Sequence, residues 1–336
     1  MKEYLTKLVE RRDLTAAEAE EAMGILMDGK ATPAQVGALL AALQTKGETV
    51  EELTGLVRAM RARCTMVEYD GILVDTAGTG GDGLGTYNVS TAAAFVAAAA
   101  GVKVAKHGNR AMSGKVGTAD ALEAAGANIE LSPQAARRCL DRCGIAFLLA
   151  PLYHPSGRHV GPARKEIGIR TAFNLAGPLC NPAGARRQVL GVFSETCMQA
   201  VAEVLRELGS EHALVVHGCD GSDEITAAGA THVTELRRGR ITSCDIVPES
   251  FGIARCKPED LVGGDAAHNA EMLREVLAGK PGAFADAAAL NGGAAIYVGG
   301  LADSLHGAIT HARRVLESGK ALEVLDAFVR ESRAVQ

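Results

Sequence analysis

The first 64 residues read as all-helical, because three apolar stretches open with the same local signal. Thr15 is followed by Glu18, Thr32 by Gln35 and Thr49 by Glu52. In each pair the threonine oxygen takes a first-turn N–H, and the acid or amide reaches back to the threonine N–H. Pro33 occupies a first helical position, and Gly29 and Gly47 fall where helices end. Val50, Leu53, Leu56, Val57 and Met60 form one apolar stripe. The pattern predicts a small bundle of about four helices.

From Gly71 the period changes. Short β-like runs at 72–75, 102–106, 144–149, 188–193 and 212–217 alternate with helices such as 133–142, which Ser132-Pro133 opens. Such alternation predicts a mainly parallel sheet flanked by helices, an α/β class. Residues 231–236, 237–240 and 241–246 read as a hairpin, and the tail from 258 is helical again. No internal repeat is present. Three loops, at Gly78, Lys106 and Asp223, follow predicted strands, and ligands of parallel sheets bind at those carboxyl ends.

A chain of 336 residues makes one large domain or two, and an apolar fraction of 47% fills a core. The net charge of −5 argues against a general nucleic-acid binder. No run of charge-free apolar residues is long enough to span a membrane, and Met1-Lys2-Glu3-Tyr4 does not begin a signal peptide. The 8 cysteines form no C-x-x-C pair, and Cys139 and Cys143 are spaced to share a helix face. They read as reduced core thiols, so a cytoplasmic enzyme is expected.

Residues 78–91 hold the densest chemistry: Gly78-Thr-Gly-Gly-Asp82-Gly-Leu-Gly-Thr86-Tyr-Asn88-Val89-Ser90-Thr91. A strand, a glycine loop and an Ala-rich helix over 91–100 make an anion site. Glycines admit close approach of backbone N–H groups, and a helix N-terminus adds its positive end. Gly78-x-Gly80-x-x-Gly83 also spells the dinucleotide fingerprint. That motif needs a helix opening at its last glycine and an acid further on, whereas the helix is expected only eight positions after Gly83. The next strand ends in Lys106-His107, so NAD binding is set aside.

Lys103, Lys106, His107, Arg110 and Lys115 follow without an intervening acid. Interleaved with Gly108, Asn109, Ser113 and Gly114, they read as a phosphate cradle or as a solvated basic loop. Gly108…Gly114-Lys115 is one residue too long for a P-loop, and Val116 replaces its hydroxyl. Arg158, His159, Arg164, Lys165 and Arg170 form a second basic stretch, with a helix expected after Gly161-Pro162. Arg164 offers a two-pronged match to a carboxylate, against the alternative of a surface arginine. Asp223-Glu224 ends a Gly-containing acidic turn and reads equally as a magnesium site or a polar turn. Together the parts fit displacement at a sugar carbon bearing diphosphate, driven by positioning and charge stabilisation.

Along nearly its whole length the chain resembles the anthranilate phosphoribosyltransferases. The carrying motifs are Gly78-Thr-Gly-Gly-Asp82, Asn88-Val-Ser-Thr91, Lys106-His-Gly-Asn-Arg110, His159-Val-Gly-Pro162-Ala-Arg164-Lys-Glu166, Asn174-Leu-Ala-Gly-Pro-Leu179 with Asn181-Pro182-Ala183, and Asp223-Glu224. The resemblance implies transfer of phosphoribose from phosphoribosyl pyrophosphate (PRPP) to the amine of anthranilate, with release of diphosphate, in tryptophan synthesis. It implies a nucleoside phosphorylase/phosphoribosyltransferase-like fold: a helical domain over 1–70, regaining a segment at about 160–185, and an α/β domain over 71–336. A homodimer through the helical domain is expected, with no nucleic-acid or membrane partner.

By position, the PRPP contacts implied are Gly78, Gly81, Asp82, Thr86, Asn88, Val89, Ser90, Thr91, Lys106, His107, Gly108, Asn109, Arg110, Ala111, Met112, Ser113, Gly114 and Thr118. Ser90, Asp223 and Glu224 are implied as holding Mg2+. Gly78, Asn109 and Arg164 are implied for anthranilate, with Arg164 on its carboxylate. No general base is expected, since an aryl amine is already a free nucleophile. The chain departs from the family pattern at Thr118, which keeps a hydroxyl in place of Ser, and at Met112. It also departs at Ser156-Gly157-Arg158, where Ala-Met-Lys is usual, and at Ser222, where Leu commonly precedes the acids. A nucleoside phosphorylase of the same fold is the alternative enzyme, but Thr76-Ala77 precedes Gly78 and Met112-Ser113-Gly114-Lys115 only half fits its phosphate motif. A nucleic-acid-binding relative would have lost the motifs this chain keeps.

Overall fold

The computed structural model describes residues 1–81, 83–111 and 116–334. Asp82, Met112, Ser113, Gly114 and Lys115, all named above, lie outside the described residues. Four helices open the chain: α1 (Lys2–Val9), α2 (Ala16–Met27), α3 (Pro33–Lys46) and α4 (Val50–Arg61). All three expected capping boxes are formed, by Thr15 with Glu18, Thr32 with Gln35 and Thr49 with Glu52. Glu52 does more than cap. It is fully buried, and it accepts from Leu14 N at 2.9 Å, Thr49 N at 2.9 Å and Lys46 Nζ at 2.8 Å. A buried carboxylate survives only when supplied with donors in this way.

Among the described residues seven strands form one sheet: β1 (Val74–Gly78), β2 (Val104–Gly108), β3 (Ile145–Leu149), β4 (Arg187–Gly191), β5 (His212–Gly218), β6 (Thr231–Arg237) and β7 (Arg240–Ile246). Their order is β3-β2-β1-β4-β5-β6-β7, with the first five parallel and the last two antiparallel. The β6–β7 hairpin turns through Arg238 (φ 52°) and Gly239 (φ 80°), a pair of left-handed residues whose twist suits adjoining strands. Helices α5 (Val89–Ala99), α6 (Thr118–Ala124) and α7 (Pro133–Cys143) link the first strands. Then α8 (Ala150–Tyr153), α9 (Gly161–Ile167) and α10 (Ala172–Ala176) lie between β3 and β4, and α11 (Met198–Glu207) between β4 and β5. The tail is α12 (Ala266–Leu277), α13 (Ala283–Gly299), α14 (Leu305–Glu317) and α15 (Lys320–Arg333).

Two apolar cores result. Phe95, Phe147, Leu290 and Phe328 belong to one, which packs α5, α7 and the tail helices on the sheet. In the other, Leu39, Leu43 and Leu56 of the bundle meet Val160, Ala163, Phe173 and Leu179, and α11 joins them to Leu190 and Val215 of the sheet. The segment between β3 and β4 thus leaves the sheet, packs α9 on α3 and α10 on α3 and α4, and returns. The chain steps outward from β1 to β3 and resumes at β4 on β1's other side. A crevice therefore opens beyond the carboxyl ends of β1 and β4, where strand order reverses.

Three expectations need correction. The first strand does not stop at Asp75 but runs to Gly78, because Thr76, Ala77 and Gly78 pair with Val189, Leu190 and Gly191 of β4. The helix after the glycine loop begins at Val89, so Ser90 and Thr91 sit in its first turn and the gap after Gly83 is shorter than expected. Nor are all cysteines core thiols: Cys139, Cys143 and Cys180 are buried, Cys219 and Cys244 exposed and the rest half-buried, all of them free. Among the described residues no helix is long and apolar enough to cross a membrane.

Candidate active site

Close approach of backbone defines the floor of the crevice. The turn after β5 lies across the ends of β1 and β4. A Cβ built on Gly191 would overlap the Asp223 carbonyl and come 3.1 Å from its Cα; one on Gly78 would overlap Asp223 Oδ2 and come 3.1 Å from Cγ. Only glycine fits under that turn. Asp220 holds its shape, accepting from Ser222 Oγ at 2.7 Å, Ser222 N at 3.1 Å and Thr226 Oγ1 at 2.6 Å. Ser222 is thus a structural member of the turn, which explains a hydroxyl where an aliphatic residue was the expected neighbour. Asp223 Oδ2 accepts from Gly80 N at 2.6 Å, and Glu224 Oε1 accepts from Ser90 N at 3.1 Å. The two acids therefore face the glycine loop and the opening of α5, not open solvent. Their hard oxygen donors suit Mg2+, which keeps several waters and takes few protein ligands.

Beneath them lies a buried charge layer. Lys106, on β2, donates to Thr76 O and to Ser90 Oγ, the latter at 3.1 Å. Burial pulls its ammonium below the usual lysine range, and Asp75, Glu224 and Asp223 oppose that pull. Asp75, fully buried in β1, accepts from His107 N at 3.1 Å and Asn181 Nδ2 at 2.8 Å. Burial pushes its carboxyl up to about 6 against the influence of Lys106 and these donors. Asn181 also donates to Ala105 O at 2.8 Å, so the returning segment is pinned to β1 and β2.

His107 is buried, its Nε2 finds no partner among the described residues, and its ring lies 5.1 Å from that of His154. Burial, with His154 and Lys106 adding to it, pushes the imidazole down to about 3, so it is neutral. The stabilisation is complete above the unfolded value of about 6.5 and is lost as pH falls toward 3, because only the unfolded ring then takes a proton. Stability is expected to fall by about 2 kcal/mol between pH ~7 and pH ~5 from this group, and His107→Gln to remove that slope. Urea midpoints of both proteins at the two pH values check it; parallel pH dependence would contradict it.

The remaining residues surround the mouth. Thr86 bridges to Val262, and Thr91 Oγ1 donates to Thr118 Oγ1 at 3.3 Å. Val89 is the buried first residue of α5, and Gly108 ends β2 where a Cβ would come 2.8 Å from the Phe147 ring. Asn109 Oδ1 accepts from Arg110 N at 2.8 Å. Arg110 turns its guanidinium onto Glu123 at 2.8 Å and Asp120 at 3.2 Å, and these raise its pKa. Asp120 also takes Ala111 N at 3.0 Å and Gly117 N at 2.9 Å, clasping both ends of the basic loop.

On α9, Arg164 lies 4.6 Å over the Phe173 ring and makes no ion pair among the described residues. Burial lowers its pKa. A half-buried guanidinium with no acid partner keeps its planar fork for a carboxylate. Arg170 lies 4.3 Å over Phe193 and donates to Gly81 O, a contact between the returning segment and the glycine loop. Asp75, Asp220, Asn181 and Arg170 were not among the expected site residues. Asn181 lay inside one of the family motifs, Arg170 at the end of the second basic stretch and Asp220 within the acidic turn, but nothing local marks Asp75.

Fold and crevice define a glycosyl transferase. The helical bundle domain of the glycosyl transferase family matches residues 2–64, and the a/b domain of that family matches residues 70–322. The chain is 52% identical over 334 residues to the anthranilate phosphoribosyltransferase of Rubrobacter xylanophilus, covering 99% of this chain and 98% of that protein. It superposes on the crystal structure of anthranilate phosphoribosyltransferase from Thermus thermophilus with a TM-score of 0.94 at 43% identity, covering 98% and 99% of the two chains. Its TM-score to the Saccharomyces cerevisiae enzyme in complex with PRPP and Mg is 0.90 at 26% identity, covering 99% and 98%. The chain belongs to the anthranilate phosphoribosyltransferase family.

Proposed function

We propose that the crevice carries out transfer of the 5-phosphoribosyl group from PRPP to the amine of anthranilate, releasing diphosphate, as a step of tryptophan biosynthesis. The observation that carries the reading is the meeting, at one strand-order reversal, of the glycine loop, the Asp223–Glu224 turn and Lys106. The glycine loop from Gly78 and Gly81 through Thr86 and Asn88–Thr91 faces PRPP, as do Lys106 through Ala111 and Thr118. Asp82 and residues 112–114 complete the set by resemblance. Ser90, Asp223 and Glu224 hold Mg2+, which neutralises the departing diphosphate when bound. Gly78, Asn109 and Arg164 hold anthranilate, Arg164 on the carboxylate.

The chemistry is a displacement at C1 of the ribose. The C1–O bond to diphosphate breaks, the amine nitrogen forms the new C–N bond, and the amine sheds one proton to solvent or product. The amine needs no prior deprotonation, so the residues work by alignment and by stabilising developing charge. Omitting PRPP and Mg2+ in turn from an anthranilate fluorescence assay tests the reading. Consumption without PRPP, or none with everything present, would overturn it.

Arg164→Ala is expected to raise the anthranilate KM about a hundredfold, as for a lost charge-assisted pair, with little change in the PRPP KM. Steady-state kinetics in both substrates check this, and equal rises would refute the assigned role. We also propose that residues 1–70 with 160–185 act as the helical domain, that the protein is a homodimer through it, and that it works in the cytoplasm. The packing of α9 and α10 on α3 and α4 supports the first. Family likeness supports the other two. A monomer mass in sedimentation would exclude the dimer.

A further inference from the structure

Asn269, in the first turn of α12, is only 3% exposed and lies 181 positions from Asn88, which it touches. The N–H of Gly264 can only donate, and it donates to Asn269 Oδ1 at 2.7 Å. That fixes which end of the amide is oxygen. The NH2 end therefore faces Asn88 and donates to its Oδ1 at 3.1 Å. Asn88 must then turn its own NH2 the other way, toward the basic loop, where it lies a loose 3.5 Å from Val116 O. One backbone N–H thus sets the polarity of two successive amides.

The arrangement is unusual for a residue that opens a helix. An N-cap asparagine ordinarily turns its oxygen onto an N–H of its own first turn. Asn88 makes no such cap. Glu224 takes Ser90 N instead, and the Asn88 oxygen goes to Asn269. The surrounding segment is fixed to the same loop. Tyr87 N donates to Leu261 O at 3.0 Å and Gly263 N to Gly85 O at 2.9 Å, while a Cβ on Gly263 would come 2.8 Å from Asn269 Oδ1.

We propose that Asn269 is a positioning residue for phosphoribosyl transfer. It locks the amide of Asn88 so that N–H groups, not a carbonyl oxygen, meet the anionic oxygens of PRPP. The inference rests on the reading of Asn88 as a PRPP contact. Without the lock the Asn88 amide is free to rotate, and half its orientations set oxygen against oxygen.

Asn269→Asp tests it. The carboxylate still accepts from Gly264 N but can no longer donate to Asn88, so the Asn88 amide inverts. With PRPP and Mg2+, the PRPP KM is expected to rise about tenfold, the anthranilate KM at saturating PRPP to stay within twofold, and the melting temperature to change little. Lowering the pH should restore PRPP affinity in this variant alone, because a protonated carboxyl donates again. Should the aspartate variant not fold, Asn269→Ser, which frees the Asn88 amide instead of inverting it, is expected to raise the PRPP KM about twofold, because about half the amide population is then misdirected. An unchanged PRPP KM, or equal rises for both substrates with lost thermal stability and no pH rescue, overturns the proposal. Asn88→Ala measured alongside separates the two ideas. If it leaves the PRPP KM unchanged, the reading of Asn88 falls and the inference with it. If it raises that KM and Asn269→Asp does not, only the inference falls.

Discussion

Gly191→Ala is expected to lower kcat/KM by a hundredfold or more, on the order of what a 1 Å misplacement costs, while the chain still folds. Glycine at this point of β4 is imposed by contact with backbone, since the added carbon would overlap the Asp223 carbonyl. A flexible side chain could yield; a peptide unit inside a turn tied by Asp220 cannot yield locally. The turn must lift, and with it go the Asp223–Gly80 and Glu224–Ser90 contacts that place both acids. Overpacking of this kind costs about 1–3 kcal/mol, so the melting temperature should fall by several degrees without loss of helical signal. Gly37→Ala is the comparison, because its Cβ meets only the tip of Ile167 at 3.6 Å inside α3. That change should match or exceed wild-type stability and leave kinetics unaltered. Full activity in Gly191→Ala would show that the turn is not the rigid element described.

Asp223→Asn combined with Glu224→Gln should reduce turnover by on the order of a thousandfold and flatten its dependence on Mg2+. The pair of amides is chosen because each keeps an oxygen for Gly80 N or Ser90 N. Geometry is retained and only charge is removed. A second consequence concerns Lys106. Burial already depresses its pKa, and Asp75, Glu224 and Asp223 hold it up. With two of those three charges gone, the ammonium should titrate lower still, so residual activity should decline at a lower alkaline pH than in the wild type. Retention of a normal Mg2+ titration would refute the metal assignment. An unshifted alkaline limb would show that Lys106 does not govern that limb.

Parts of this molecule were legible because their causes are local. A capping box is written in four residues, and all three formed as read. The hairpin was legible for the same reason, with turn and flanking alternation lying within sixteen residues, 231–246. Strand ends were less so. Thr76-Ala77-Gly78 looks like the start of a loop, and only pairing with β4 makes it strand. The ligand-facing motifs stood out as unusual clusters of glycine and charge, yet the residues that support them do not. Asp75 reads as the end of an apolar run, and Asn269 as an ordinary helix residue. Each acquires its role from a partner more than a hundred positions away, and nothing in the neighbouring letters encodes that meeting.

The returning segment also sets an order in time. Strands β1, β2 and β3 can pair as they emerge during synthesis, since each neighbour follows shortly behind. The seam between β1 and β4 cannot, because the Phe193 N–H that meets Thr79 Oγ1 arrives 114 residues later. The bundle waits as well, its apolar face open until Phe173 and Leu179 have been made. Closing so long a loop is slow, and the half-built chain shows unpaired strand edge and bare apolar surface meanwhile. The crevice is therefore built only after β4 and the Asp223 turn have been made, and a nascent chain arrested before β4 has every glycine of the loop after β1 but no site.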